Sequence, residues 1–321
     1  MIRAGIMGAA GYTGGELLRL LEAHPEVDIA WAHSRSQAGR PIAEVHADWW
    51  SVRTTRFVGT VDPAIDGLFL CVPHGESAAI LAEGSWPATL KIIDLSNTFR
   101  LAAHAGDFVY GLPELRAEQI AKSQRVANPG CFATAIQLAL LPLAAAGWIK
   151  EDVHIHALTG STGAGQQSRP TTHFSWRDNN LSVYKAFQHQ HLDEIYQSLR
   201  QVAPDYTGRL NFLPLRGNFS RGIFASHYTT VHEDLATIRA QYQDFYRDQP
   251  FVQISTRNPS LKQVINTNRC ILYLEKHDDR LLLISIIDNL LKGASGQAVQ
   301  NMNLQFGWAP SLGLQLKASV F

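Results

Sequence analysis

The chain begins with a short apolar run that ends in closely spaced glycines, and this feature constrains the fold more than any other. Residues 2–7 (IRAGIM) predict a strand, and GAAGYTGG follows at 8–15. Four leucines then recur between 17 and 21 at helical spacing, and Pro25 ends the pattern. This order predicts a strand, a glycine turn and a helix.

Apolar strands continue to alternate with helical segments through the N-terminal part of the chain. Further strands are predicted at 27–32, 67–72 and 90–95, with a helix at 75–82 between the last two. Such alternation is typical of α/β folds, in which a parallel sheet carries helices on both faces. We therefore predict a doubly wound parallel sheet.

The pattern changes after about residue 125. An apolar helix is predicted at 131–146, a long strand at 221–231, a hairpin from 270–275 to 281–287, and a last helix at 290–306. These elements predict a second domain of α+β type with an antiparallel or mixed sheet. Its exposed face could serve a subunit interface.

Composition restricts the class of function. The 321 residues carry no formal net charge, so nothing favours nucleic acid or an anionic membrane surface as a partner. We expect neither a membrane-spanning segment nor a secretory signal, and the three cysteines are too scattered for a disulfide framework. We expect a small-molecule function in the reducing cytoplasm.

The glycine turn has the position of a dinucleotide-binding loop. Gly8 allows a tight turn, Gly11 lets backbone amides approach a pyrophosphate, and Gly14 permits close packing of helix on strand. The spacing departs from the commoner GxGxxG, so a glycine turn without a ligand is the alternative. The cofactor contacts predicted in this loop are Gly8, Ala10, Gly11, Tyr12, Thr13 and Gly14.

The residues after the second strand indicate which dinucleotide is preferred. An NAD site usually places a carboxylate here for the ribose 2′-hydroxyl, whereas this chain has His33 followed by Ser34, Arg35 and Ser36. A guanidinium between hydroxyls suits a 2′-phosphate. We predict NADP(H) as the cofactor, with Arg35 on a surface loop of no function as the alternative.

Cys131 is the candidate nucleophile. It opens the apolar helix after the turn NPG, where the helix dipole and free amides favour a thiolate and can hold an oxyanion. Cys71 and Cys270 lie within apolar strands and are predicted to be core residues. Taken alone, Cys131 could also be a core residue.

Two further segments carry polar chemistry. His189 and His191 begin a helical segment and supply imidazoles that can act as acid and base. No cysteine pair or HExxH accompanies them, so we expect no metal site. The glycine-rich segment at 161–165 could bind an anion such as phosphate, or be a flexible loop.

These segments together resemble the N-acetyl-gamma-glutamyl-phosphate reductases, over essentially the whole chain. The matching segments appear in the family's order: GAAGYTGGEL (8–17), HSRS (33–36), DLSNTFR (94–100), YGLPEL (110–115), ANPGCFATA (127–135), STGAG (161–165), HQHLDEI (189–195) and DNLLKGASGQAVQNMN (288–303).

The resemblance implies a Rossmann dinucleotide-binding domain at 1–130 plus 290–321 and a catalytic and dimerisation domain at 131–289. It implies NADPH-dependent reduction of an N-acyl-L-glutamyl 5-phosphate to the semialdehyde and inorganic phosphate, in arginine biosynthesis, by a homodimer or homotetramer. Cys131 would form a thioester, with His189 or His191 as acid and base. Further cofactor contacts are predicted at Pro73, Ser161, Gly163, Asn289 and Lys292, and substrate contacts at Arg100, Asn128, Gly165, Gln166 and Arg221.

The sequence departs from the family pattern near the substrate. The family's NPGCYPTA is NPGCFATA here, GAGR becomes GAGQ at Gln166, and HRHxPEI becomes HQHLDEI at Gln190. Loss of these arginines leaves the N-acyl group open between acetyl and succinyl, and Arg169 or Arg221 could supply the missing charge. The rival interpretations are an aspartate-semialdehyde dehydrogenase-like enzyme and a non-catalytic NADP-binding regulator.

Overall fold

The structure, a computed structural model, describes residues 1–51 and 54–320. The strands are β1 (Ile2–Met7), β2 (Val27–His33), β3 (Gly67–Leu70), β4 (Lys91–Asp94), β5 (Val109–Tyr110), β6 (Arg125–Ala127), β7 (Val153–Thr159), β8 (Ser182–Val183), β9 (Leu210–Arg216), β10 (Ile223–Thr230), β11 (Val252–Ser255), β12 (Cys270–His277) and β13 (Arg280–Ile287). The α-helices are α1 (Tyr12–Glu22), α2 (Glu76–Glu83), α3 (Pro113–Lys122), α4 (Cys131–Ala145), α5 (Phe174–Arg177), α6 (His191–Val202), α7 (Leu235–Phe245) and α8 (Ser295–Gln305).

The chain divides into two compact units. The first contains Met1–Pro129 and Ala294–Gln315, and the second contains Gly130–Gly293 and the residues from 316 to 320. This division differs from the bounds predicted from the sequence at residue 130, at 290–293 and at 316–320. Residues 290–293 remain with the second unit because Asp288 accepts hydrogen bonds from the backbone of the turn that follows it.

The first unit is built on a six-stranded parallel sheet. The strand order is β2-β1-β3-β4-β6-β5, so the chain leaves β1 in one direction for β2 and returns past it to β3. Such a reversal leaves a crevice at the carboxyl ends of the strands, where α/β proteins bind ligands. Helices α1 and α3 pack on α8. The predicted doubly wound Rossmann sheet is confirmed.

The second unit is built on a seven-stranded mixed sheet of order β11-β12-β13-β10-β7-β9-β8. Helix α4 packs on α6 and α7 and against β10 and β13, and its side chains from Phe132 to Ala144 are buried. On the other face of the sheet the side chain of Tyr228 is 43% exposed and stacks on His154. The predicted α+β domain with a mixed sheet is thus also present.

Two predicted element starts differ from the structure by two residues or more. Helix α8 begins at Ser295 and not at 290, because the preceding residues form the turn anchored by Asp288. Strand β10 begins at Ile223 and not at 221, because Gly222 has a φ of +109° that an extended strand does not accommodate.

Candidate active site

Each glycine of the first turn meets a steric requirement of the first unit. Gly8 has a φ of +75°, and a Cβ there would overlap the backbone carbonyl of Cys71. A Cβ on Gly14 would lie 2.5 Å from the Cα of Ala9. Gly11 caps α1, whose first amides have no partner within the helix and point out of its positive end. This turn therefore fits a pyrophosphate.

The residues predicted to select the cofactor lie at the same edge of the sheet. Met7 at the end of β1 is opposite His33 on one side and Leu70 on the other, so the chain leaves all three strands side by side. Pro73 follows β3 and is exposed.

The Arg35 side chain is 75% exposed, and its guanidinium is 3.9 Å from the Glu76 carboxylate. An exposed pair at this distance contributes little, so the guanidinium is available to a ligand. Ser34, beside it, is buried, and Ser36 is exposed. These residues fit the 2′-phosphate of NADP.

Arg100 and Asn128 support the backbone that leads to the nucleophile. Arg100 is 6% exposed and donates to the carbonyls of Asn128 and Leu95 at 2.8 and 2.9 Å. The Asn128 amide donates to the carbonyl of Ala294 at 3.1 Å and accepts from Asn301 at 3.0 Å. Both predicted substrate residues thus make hydrogen bonds inside the first unit.

Cys131 is the first residue of α4, and Gly130 is its N-cap. Cys131 is partly exposed, whereas the rest of the helix up to Ala144 is buried. Gly293 lies directly against it, since a Cβ on Gly293 would come within 2.7 Å of the Cys131 Cβ. The thiol therefore occupies the electropositive end of a buried helix, with a glycine keeping its neighbourhood open.

The other two cysteines have structural surroundings. Burial raises the pKa of the Cys71 thiol to about 12, which keeps it protonated near neutral pH. Cys270 is fully buried in β12, with its Sγ 3.5 Å from the Ser285 hydroxyl. Neither has the environment of an activated thiol.

His189 and His191 are buried side by side next to α4. Their ring centroids are 4.5 Å apart, and Phe132 meets the His189 ring edge-on at 5.4 Å. The His191 amide donates to His189 Nδ1 at 3.2 Å, so this nitrogen carries no proton. Desolvation, followed by the charges of His191 and Lys185, lowers the pKa of His189 to about 3, and the ring is neutral at physiological pH.

Glu194 connects the histidines to the nucleophile turn. Its side chain is buried, and Oε2 accepts from the Gly130 amide at 2.9 Å. Oε1 is 3.9 Å from Nε2 of His191, whose ring occupies the space that a Cβ on Gly130 would need. Glu194 was not among the predicted site residues, although its position three residues after His191 on one helix places both side chains on the same face.

The glycine-rich turn at 161–165 uses most of its amides internally. Ser161 donates to the carbonyl of Phe219 at 2.9 Å, and Thr162 donates to that of Ser220 at 3.1 Å. The Gly163 and Gly165 amides also donate to backbone carbonyls. The anion site expected from these amides therefore lacks most of its donors. Gly165, with a φ of +76°, and Gln166 are exposed beyond them.

Asn289 and Lys292 are buried in the second unit. The Asn289 side chain accepts from the Gly222 amide at 2.6 Å and donates to the Thr162 hydroxyl at 3.0 Å. It thereby connects the turn at 161–165 to Gly222, the residue before β10. Lys292 is fully buried, and its Nζ is 5.7 Å from the centroid of the Phe251 ring.

Arg221 forms an ion pair with a carboxylate of the same unit. Its Nε and Nη2 donate to the two carboxylate oxygens of Asp288 at 3.1 and 3.2 Å. Asp288 is fully buried and also accepts from the backbone amides of Asn266 and Leu290. The two hydrogen bonds between Arg221 and Asp288 anchor the turn that places Gly293 beside Cys131. Arg221 therefore stabilises the site through Asp288.

No helix within residues 1–51 and 54–320 combines the length and apolar character needed to cross a membrane. No group of three His, Cys, Asp or Glu side chains there is arranged to hold a metal ion.

Comparison with known families agrees with the two units. Residues 3–123 match the semialdehyde dehydrogenase NAD binding domain, and residues 131–289 match the semialdehyde dehydrogenase dimerisation domain. Aspartate semialdehyde dehydrogenase II of Vibrio cholerae, complexed with ASA, superposes with a TM-score of 0.75 at 17% identity, covering 96% of this chain and 98% of that one. The Candida albicans aspartate semialdehyde dehydrogenase with NADP gives a TM-score of 0.68 at 14% identity, covering 95% and 98%. These likenesses establish the fold.

Full-length relatives define the family more narrowly. The N-acetyl-gamma-glutamyl-phosphate reductase of Parabacteroides distasonis is 51% identical over 322 residues and covers 100% of both chains. That of Azobacteroides pseudotrichonymphae is 54% identical over 322 residues, again with 100% of both chains covered. The resemblance found in the sequence motifs is confirmed, and this chain belongs to the N-acetyl-gamma-glutamyl-phosphate reductase family.

Proposed function

We propose that the chain catalyses the NADPH-dependent reduction of an N-acyl-L-glutamyl 5-phosphate to the 5-semialdehyde and inorganic phosphate, a step of arginine biosynthesis. The observation that carries the proposal is the partly exposed Cys131 on the first turn of α4, with His191 and Glu194 at the preceding Gly130. Full-length relatives at about half identity carry the name of this activity.

The first unit would hold the cofactor. The amides of the glycine turn from Gly8 to Gly14 would bind the pyrophosphate, and Arg35 between two serines would bind the 2′-phosphate. Bound NADPH supplies the hydride. In this proposal dinucleotide binding belongs to residues 1–130 plus 290–321, and catalysis with subunit association belongs to 131–289.

The reaction divides into two steps at Cys131. The thiolate attacks the C5 carbonyl, so that a carbon–sulfur bond forms and the bond from C5 to the phosphate oxygen breaks. Hydride addition to the resulting thioester forms a carbon–hydrogen bond and a thiohemiacetal, whose carbon–sulfur bond then breaks to release the aldehyde. Amides at the N-terminus of α4 stabilise the oxyanion in both steps.

His191 is the acid and base in this proposal. It would donate a proton to the thiohemiacetal oxygen and recover it when the carbon–sulfur bond breaks. The Glu194 carboxylate, 3.9 Å away, stabilises the imidazolium form. His189, which burial keeps neutral, accepts the backbone hydrogen bond that fixes the start of α6.

We also propose a homo-oligomer, a homodimer or homotetramer, that works in the cytoplasm. The dimerisation-domain family covers residues 131–289, and Tyr228 stacks on His154 on the open face of the mixed sheet. All three cysteines are free, which is usual for proteins of a reducing compartment.

The decisive experiment is phosphate-dependent reduction of NADP⁺ with the N-acetyl and N-succinyl forms of glutamate semialdehyde. Wild type should turn over at least one of them, Cys131→Ser neither, and the buried-cysteine control Cys270→Ser should retain the thiol-dependent activity. The ratio of the kcat/KM values for the N-acetyl and N-succinyl substrates assigns the acyl group. Absence of wild-type turnover with both substrates would remove the pathway assignment, and full activity of Cys131→Ser would remove the thioester.

The cofactor preference is tested separately with Arg35→Asp. The added carboxylate should repel the 2′-phosphate and accept from a ribose hydroxyl, so the KM for NADPH should rise far more than that for NADH. Equal changes in the two KM values would contradict the role given to Arg35. Arg56→Asp, at another exposed arginine of the first unit, is the control.

A further inference from the structure

Two neighbouring arginines of the second unit, Arg177 and Arg216, form no ion pair with an acidic side chain in residues 1–51 and 54–320. Arg177, the last residue of α5, is 7% exposed, and its Nη2 donates to the carbonyl of Gly217. Gly217 follows Arg216, the last residue of β9, so the two guanidinium groups share one neighbourhood. In the described part of the chain, neither arginine forms an ion pair with a carboxylate, and nothing accepts a hydrogen bond from Arg177 Nη1.

A buried N–H donor without an acceptor, such as Arg177 Nη1, lowers the stability of the folded state. Burial, followed by the charge of Arg216, lowers the pKa of Arg177, because each positive charge disfavours the other. Arg216 itself is held by the Thr171 hydroxyl at 3.0 Å and lies 4.5 Å over the centroid of the Tyr184 ring. An anion between the two guanidinium groups would satisfy the open donor and reduce the repulsion.

Tyr184 connects this pair to the reaction centre. Its ring centroid is 5.8 Å from that of His189, and Phe132 meets the same His189 ring at 5.4 Å. Burial first, and then the negative charge of the Cys131 thiolate, raise the pKa of Tyr184. The Tyr184 ring therefore lies between Arg216 on one side and His189 on the other.

The other cations that the sequence offered are accounted for differently. Arg221 is bound to Asp288, and the position of the family's arginine at Gln190 is an amide that accepts from Lys185 at 2.9 Å. Arg169 is exposed. Arg177 and Arg216, in contrast, lie near each other and form no ion pair with a carboxylate in the described residues.

We propose that Arg177 and Arg216 form a carboxylate-binding subsite for the substrate, which rests on the proposed reductase function. The phosphoryl group is bonded through one oxygen to the carbon that Cys131 attacks, whereas the carboxylates stand at the far end of the glutamyl chain or of its acyl group. A site separated from the histidines by the Tyr184 ring suits a carboxylate at that far end. A guanidinium group can donate two parallel hydrogen bonds to the two oxygens of one carboxylate.

The test uses the reverse reaction, in which the semialdehyde and phosphate are separate substrates. Arg216→Gln should raise the KM for the semialdehyde roughly 10- to 100-fold, as expected for a lost hydrogen bond to a charged group. The KM for phosphate and kcat should change little. Arg177→Lys keeps the positive charge but loses the planar guanidinium, so it should also raise the KM for the semialdehyde. The matched control is Arg200→Gln, since Arg200 lies over the Tyr196 ring without a second arginine.

The two acyl forms separate the two carboxylates. An effect of Arg216→Gln on both the N-acetyl and the N-succinyl substrate assigns the α-carboxylate, and an effect on the N-succinyl substrate alone assigns the terminal succinyl carboxylate. A rise in the KM for phosphate only, or no change in any KM, would overturn the proposal.

A second measurement does not depend on turnover. N-acetylglutamate, an unreactive carboxylate probe, should slow the alkylation of Cys131 by iodoacetamide in wild type. In Arg216→Gln the half-protecting concentration should rise by a similar factor. If N-acetylglutamate protects wild type but neither semialdehyde is turned over, the proposed function is contradicted and the carboxylate subsite is retained. If N-acetylglutamate protects wild type and Arg216→Gln equally, the subsite is contradicted.

Discussion

Arg221 supports the fold of the second unit, and its removal should lower stability more than substrate affinity. In Arg221→Gln the buried Asp288 loses both guanidinium hydrogen bonds. Breaking a buried charge pair costs about 3–5 kcal/mol, and the lower end applies because amides of Asn266 and Leu290 still solvate the carboxylate. For a domain of this size, about 3 kcal/mol corresponds to a fall in Tm of roughly 6–12 °C.

Scanning calorimetry of wild type and Arg221→Gln measures this fall directly. Arg257→Gln is the control, because Arg257 is exposed in the same unit. Kinetics are recorded well below both transitions, where the KM for the semialdehyde should stay within about threefold of wild type, since that loss corresponds to less than 1 kcal/mol. A Tm within about 2 °C of wild type, combined with a tenfold rise in KM, would refute the structural role and restore the sequence-based assignment of Arg221 to the substrate.

Three shorter predictions follow from single sites. Gly130→Ala should lower kcat and cost about 1–3 kcal/mol, because the new methyl group overlaps the His191 ring; wild-type kcat and Tm would contradict this packing. Burial lowers the pKa of His227 to about 4, so the folded state keeps the ring neutral while the unfolded chain takes up a proton below its ordinary value. Stability present above about pH 6.5 is therefore lost as the pH falls towards 4, by up to about 1.4 kcal/mol per pH unit, and His227→Leu should flatten the fall of Tm in that window. Iodoacetamide at pH 8 should label Cys131 and leave Cys71, whose pKa is raised to about 12, unmodified; peptide masses showing equal labelling would disprove the difference.

The sequence by itself determined those features that depend on neighbours along the chain. The strand, glycine turn and helix at the N-terminus follow from local periodicity and from backbone conformations that favour glycine, such as the φ of +75° at Gly8. The position of Cys131 on the first turn of an apolar helix was predictable for the same reason. Alternating strands and helices also sufficed for the parallel sheet of the first unit.

Only the tertiary structure decided how charged side chains are paired, because pairing depends on contacts between residues far apart in the chain. Arg221 looked available to a substrate until the fold brought it to Asp288, and Glu194 had no assigned role until α6 carried it to the Gly130 amide. Arg177 and Arg216 drew no attention in the sequence, since no local pattern reveals that a buried and a half-buried arginine lie together without an ion pair to a carboxylate in the described residues. Local geometry is encoded over a few residues, whereas the compensation of a buried charge is a property of the packed interior.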